Sequence, residues 1–400
     1  MAASQIPSPG GHHLEPTFGS VVAPAPHRRA GRSRVGIVLV SLGVIAVAVA
    51  CVGIQWGANL SYDEAVVAFD ETVEQTRASQ TQLEAGLAEL TTTTDAASRI
   101  AAADDGALTD AESSAALTGA LDEASATAAE ASALIDKNLP LAGEKPVWAW
   151  ELFGATAVLN ADRTAVASQH AAIDSSRTEL ADASETVDDA GTAAVRSAAD
   201  AAQAYEAAHV SARNVDILSL RDAAARLAVS DELDTTVADD YAELESAAAA
   251  MLVSEQAELA EKQGPFRDAR VQAEAFARGL APGVLLDFDW SAHVNGFGDG
   301  DSMGGLATWW HGDPGYATIE LSDSVAAYWP GDRSRALIAH EVGHAISVKC
   351  RDMYDDSTQE SIEAWATAWA ISMGYTDAAN GTSAYGAPPQ SLIDAAAGCR

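Results

Sequence analysis

The stretch RALIAHEVGHAISVKC, Arg335 to Cys350, carries two histidines four residues apart, with a glutamate directly after the first. On an α-helix His340 and His344 share one face about one turn apart. Two imidazoles so placed can hold one zinc ion. Glu341 is turned about 100° from His340 around the axis, within reach of a water on that ion. Zinc lowers the pKa of such a water; a neighbouring carboxylate takes the proton during attack on a peptide carbonyl and passes it to the leaving amine. With nine histidines in the chain, a chance HExxH has odds on the order of one in a hundred.

The residues around the motif can build the helix it needs. Pro330 and Gly331, with Asp332 or Ser334 as the cap, precede the apolar positions Leu337, Ile338, Val342, Ala345 and Ile346. A hydrolytic zinc site takes three protein ligands and leaves one position open. A second helix is predicted over STQESIEAWATAWAISMGY, Ser357 to Tyr375. Before the motif, YATIEL (Tyr316 to Leu321) reads as a strand, either in the core or at an edge where an extended substrate adds.

HExxH followed by a helical glutamate and a run of small residues, EAWATAWA, resembles the gluzincin class of zinc metallopeptidases. The resemblance covers Gly264 to Arg400 and implies a small α+β domain with an edge strand above the zinc. It makes Glu363 the third ligand; Ala366 and Ala370 are small residues that let helices pack closely. Glu360, one turn earlier, and Asp377 in GYTDAANG, which echoes the aspzincin motif, are the contenders. Cys350 stands where metzincins place a histidine, but Ser347 replaces their glycine. Gluzincins often carry an acidic residue four after the ligand to orient a histidine; here that place is Thr367, whose hydroxyl or a bound water would serve. Tyr354 and Tyr375 are candidate oxyanion stabilisers, with Tyr385 and His311 beside them.

The rest of the chain must carry this domain. Residues 1–34, rich in Pro, Gly and Ser, read as a disordered cytoplasmic tail. Residues 35–57 hold an uncharged apolar run, Val35 to Trp56, long enough for a transmembrane signal anchor. Arg28, Arg29, Arg32 and Arg34 precede it and Asp63 and Glu64 follow, so the N-terminus is expected in the cytoplasm and the remainder outside. AVAC, ending at Cys51, offers the alternative of a lipoprotein anchored there. That leaves Cys350 and Cys399 as a candidate disulfide in an oxidising compartment.

Residues 58–263 read as an Ala-rich α-helical, coiled-coil stalk. One helix is expected from Ser61 to about Leu134, with apolar residues at alternating steps of four and three. A second repeats Leu159, Val166, Ile173, Leu180 and Val187 every seven residues, and a third covers Val215 to Gln263. Between the first two, NLPLAGEKPVWAWELFG interrupts the helix; its Trp148, Trp150, Leu152 and Phe153 are expected to pack where the helices turn back. Gly264 and Pro265 mark the domain boundary, with residues 264–400 as the peptidase domain.

The fold class expected is therefore mainly α: a transmembrane helix, a coiled-coil stalk and a small α+β zincin-like domain. The function expected is a membrane-anchored, Zn2+-dependent metallopeptidase with one ion, acting on protein or peptide substrates outside the cytoplasm. The alternative is a coiled-coil envelope scaffold with a structural or inactive zinc site. The net charge of −35 argues against nucleic acid as a partner, and the stalk is a candidate for self-association. The alanine and aspartate bias resembles that of a high-GC bacterium such as an actinobacterium, which points to substrates in the cell envelope.

Overall fold

The computed structural model describes residues 34–230, 232–312 and 315–400. The tail expected over residues 1–34 therefore lies, apart from Arg34, outside the described residues. The chain is mostly helical, with one small sheet near its C-terminus, and divides into two compact units.

The first unit combines, among the described residues, 34–69 and 142–161. Helix α1 (Arg34–Ala103) supplies its longest element, and its apolar part is the one stretch among the described residues long and apolar enough to cross a membrane. From Ser41 to Ile54 every residue is exposed; Ala58, Tyr62, Ala65 and Phe69 are buried. Helix α3 (Ala149–Ala208) begins in this unit. The Pro- and Gly-containing connector before it returns to α1, where Tyr62 donates to the Gly143 carbonyl (3.3 Å) and Lys145 pairs with Asp63 (2.6 Å). Of the four apolar residues expected to pack here, only Leu152 does so. Trp148, Trp150 and Phe153 stay more than half exposed.

The second unit holds residues 70–141 and 162–400. The continuations of α1 and α3, with α2 (Ala111–Ile135), α4 (Asn214–Leu227) and α5 (Thr235–Glu261), surround a core that includes Leu83, Leu90, Leu117, Ile173, Leu180, Val187, Leu220 and Leu244. The seven-residue row from Leu159 to Val187 is buried at all five positions. The first predicted helix is not continuous. Asp104 and Asp105 accept from the N–H groups of Gly106 and Ala107, Gly106 takes a positive φ of 78°, and Asp110 caps α2 through the N–H groups of Glu112 and Ser113. Side chains that bond their own backbone compete with the helix here. The third predicted helix likewise splits into α4 and α5, the latter capped by Asp234.

Gly264 (φ +112°) turns the chain from α5 into α6 (Arg267–Leu280). Buried Lys262 reaches Glu258 one turn back on α5 (3.2 Å) and, across the Gly264 turn, Glu274 of α6 (3.4 Å), and Trp290 donates to Glu274 (2.9 Å). A second core follows, built from Ala273, Ala277, Leu286, Phe288, Ile319, Leu321, Ile338, Val342, Trp365 and Trp369. Its sheet has the order β1 (Leu285–Ser291), β3 (Tyr316–Ser322), β2 (Gly305–Trp310). β3 runs parallel to β1, pairing Leu285 with Tyr316, and antiparallel to β2, pairing Gly305 with Leu321. YATIEL is thus the central strand, and β2 carries the edge.

After the short α7 (Asp323–Ala327), α8 (Asp332–Ile346) packs against the sheet and against α9 (Gln359–Ser372); α10 (Thr382–Tyr385) and α11 (Gln390–Ala396) close the chain. Gly331 occupies the cap position of α8. Ser334 instead donates to the Val325 carbonyl (2.9 Å), while Asp332 lies in the first turn, where a carboxylate suits the helix dipole. Thr358 caps α9 by accepting from the Ser361 N–H.

Candidate metal centre

Helices α8 and α9 meet where both are small. A Cβ at Gly343 would come within 2.7 Å of the Ala366 carbonyl oxygen and 2.9 Å of its Cα, so only glycine permits this approach. The close crossing brings the inner face of α8 to the start of α9. His340 Nε2 lies 3.1 Å from Glu363 Oε2, His344 Nε2 lies 3.3 Å from the same oxygen, and the two imidazole nitrogens are 3.2 Å apart. All three residues are buried. Gln359, one turn before Glu363, donates to its other oxygen at 2.6 Å and fixes the carboxylate plane.

This triangle has the dimensions of a metal site. Ligands about 2.0–2.1 Å from a tetrahedral zinc stand about 3.3 Å from one another, close to the observed edges. Charge points the same way. Glu341 and Glu363 are 5% and 6% exposed, and among the described residues no Lys or Arg pairs with either; the ion-pair partners of Glu363 are the two histidines. Two buried carboxylates without a cation are costly, and a divalent ion would neutralise them. A buried His–His–Glu group that can bind a metal ion is therefore present.

The surroundings orient the donors. His340 donates to the Asn380 backbone carbonyl, and Thr367 Oγ1 stands 3.5 Å from its Nδ1. The Thr367 hydroxyl thus stands beside His340 where the orienting residue was expected, with the Asn380 carbonyl as a second partner. Gly381, at φ +104°, makes that approach possible, since a Cβ there would strike Thr367 and lie 2.7 Å from the His340 ring. The His344 ring stacks on Trp309 of β2 at 5.3 Å, and its Nδ1 is buried with no protein partner. Gly305, which opens β2, leaves room for the Glu341 carboxylate: a Cβ would collide with Oε1.

Protonation follows from this packing. Burial pushes the Glu341 carboxyl up to about 7; His340 pulls it down and Glu363 adds to the rise. Burial alone would raise Glu363 too, but hydrogen bonds from both histidines hold it well below the usual carboxylate range. Burial disfavours charge on His340, yet the Glu363 hydrogen bond and the Glu341 charge leave its pKa raised; burial lowers that of His344.

Among the remaining candidates, Glu360 is exposed one turn away, and Asp377 caps the Ala378–Asn380 turn through the Ala379 N–H (3.0 Å); neither joins the triangle. Cys350 is bonded to Cys399 with a Cα separation of 6.0 Å, which removes it as a ligand. The Tyr354 ring stacks on Trp365 and that of Tyr375 meets Phe276 edge-on. Tyr385 is the tyrosine that lies against a ligand, its ring stacked 5.8 Å from that of His340. Gly305, Trp309, Gln359 and Asn380 were not singled out in the sequence. A glycine opening a strand and the Asn-Gly pair are the signals that mark two of them.

Compared with known proteins, the chain matches no family model, no curated protein and no solved structure.

Proposed function

We propose that this chain is a membrane-anchored zinc metallopeptidase of gluzincin type. The observation that carries the reading is the buried His340–His344–Glu363 triangle with a second buried carboxylate, Glu341, on the adjoining helix position and, among the described residues, no basic side chain paired with it. A His2Glu donor set suits zinc. Once bound, the ion supplies Lewis-acid activation of water and of the scissile carbonyl.

The chain's own residues do the rest. Glu341, buried beside the two histidines, takes a proton from the attacking water and delivers it to the leaving amine. Tyr385, beside His340 and more than half exposed, donates its hydroxyl to the carbonyl oxygen as charge develops. The outer edge of β2 beyond Gly305, whose carbonyl accepts from Asn295 Nδ2 (3.2 Å), receives the substrate backbone as an added strand.

The apolar part of α1 spans the membrane, with the arginine-rich N-terminus in the cytoplasm and the metal domain outside. The Cys350–Cys399 bond supports an oxidising compartment. The helices of residues 58–263 form the stalk, whose seven-residue row on α3 is used in pairing within the chain, so that self-association would go through its outer faces.

The test is digestion of a peptide library by the full chain in detergent, wild type against Glu341→Gln. Zinc content should be equal in the two, while cleavage falls more than 100-fold in the variant and disappears with chelator. Cleavage that survives Glu341→Gln would refute the assigned base. A zinc-loaded wild type that cuts nothing would favour a structural site.

A further inference from the structure

The first unit fixes the level at which its bare apolar helix stops. Every described residue from Ser41 to Ile54 is exposed, and partial burial begins at Gln55. The Gln55 amide then holds the chain on both sides of one residue. Its NH2 donates to the Val147 carbonyl at 2.9 Å, and its oxygen accepts from the Ala149 N–H at 2.9 Å. Trp148 lies between them, pinned beside the end of the apolar stretch.

The residues gathered there are aromatic and unburied. Trp148 and Trp150 stack in parallel at 5.2 Å, yet remain 54% and 68% exposed; Phe153 is 52% and Trp56 71% exposed. Leu152, in the same turn, is fully buried, so the helix separates one packed side chain from three that face outward. At about 1.5 Å per residue the run Val35 to Trp56 reaches about 33 Å, against a hydrocarbon core of about 30 Å. Trp56 and the pinned Trp148 then fall at the boundary between lipid and water, where tryptophan is favoured because its ring is apolar and its N–H polar. Asp63, Glu64, Glu144 and Glu151 outnumber Lys145 nearby, which disfavours anionic headgroups.

We infer that the Trp148–Phe153 turn is a second membrane contact, lying in the interfacial layer of the bilayer that α1 crosses and engaging zwitterionic phospholipid. The inference rests on the proposal that α1 spans a membrane. Two attachments, one through α1 and one through the start of α3, hold the helix pair where it leaves the lipid.

The test reconstitutes the full chain in phosphatidylcholine vesicles doped with a phosphatidylcholine bearing a photoactivatable diazirine near the glycerol end of its acyl chain, and maps adducts by peptide mass spectrometry. Adducts are expected on α1 between Ser41 and Trp56 and on the peptide containing Trp148, Trp150 and Phe153. In the triple variant Trp148→Ser, Trp150→Ser, Phe153→Ser, the second set should fall at least tenfold while the first persists, with helical circular dichroism unchanged. Wild-type adducts on α1 alone would overturn the inference and leave the span intact. Absence of both sets, with the chain washed from the vesicles, would overturn the span itself.

Discussion

Gly305 and Glu341 show how much a single side chain, or its absence, decides. The carboxylate sits against the first residue of β2, in space that exists because Gly305 has no Cβ. Gly305→Ala should displace Glu341, lower cleavage at least tenfold and leave zinc content unchanged, since no ligand moves; zinc analysis beside a peptide assay checks this. Glu245 makes a different point. Its Oε1 accepts from Tyr241 at 3.0 Å, its Oε2 is buried without a partner, and burial, with the charges of Asp105 and Asp104, pushes its pKa up to about 7. The folded pKa exceeds the unfolded one, so this residue's contribution is fully present below about pH 4.5 and is lost as pH rises through 7. Glu245→Gln should therefore stabilise the protein by about 1–3 kcal/mol at pH 8 and by nearly nothing at pH 4, read from denaturant melts at the two values. The histidine spacing was legible because one helical period places His340, Glu341 and His344. Gly305, Trp309 and Asn380 were not, because they reach the site from segments whose approach only the tertiary fold sets.

Among the elements, α8 is held at both ends of its functional face. Gly343 lets α9 in, and the Cys350–Cys399 bond ties the segment just after α8 to the C-terminus, where Trp369 of α9 also donates to the Cys399 carbonyl at 2.9 Å. Reduction, or Cys399→Ser, should cost about 2–4 kcal/mol, seen as a thermal transition lowered by reductant in the wild type and insensitive to it in the variant. Helix period read α8, α9 and the long row on α3 correctly in kind, whereas neither expected cap residue, Asp332 or Ser334, caps α8. The breaks escaped that period. Asp104-Asp105-Gly106 is a turn signal inside a long alanine-rich run whose helix period overshadowed it, and its side chains bond the backbone and stop α1. YATIEL has the alternation of a strand, but its central place depends on β1 and β2 arriving on either side, which alternation along one strand does not encode.

At the scale of the whole molecule, the helical core and the core beneath the metal centre are separate sets of side chains, one ending at Met251 and the other beginning at Ala273. Both cores lie in one compact unit, residues 70–141 and 162–400, and Leu285 of β1 packs against the helical one, so the composition change at Gly264 coincides with a change of core within that unit. The buried lysine and glutamates that join the two were not legible, since Lys262, Glu258 and Glu274 look like solvated charges until α5 and α6 fold together. The account turns on one divalent ion shared by α8 and α9, and zinc stoichiometry by plasma mass spectrometry across ligand variants tests it most directly. The wild type, Glu360→Ala and Asp377→Ala should each carry one zinc per chain after dialysis, whereas His344→Ala and Glu363→Ala should lose it, with affinity reduced at least 100-fold. Full zinc content in Glu363→Ala, or a wild type that binds none, would contradict the account.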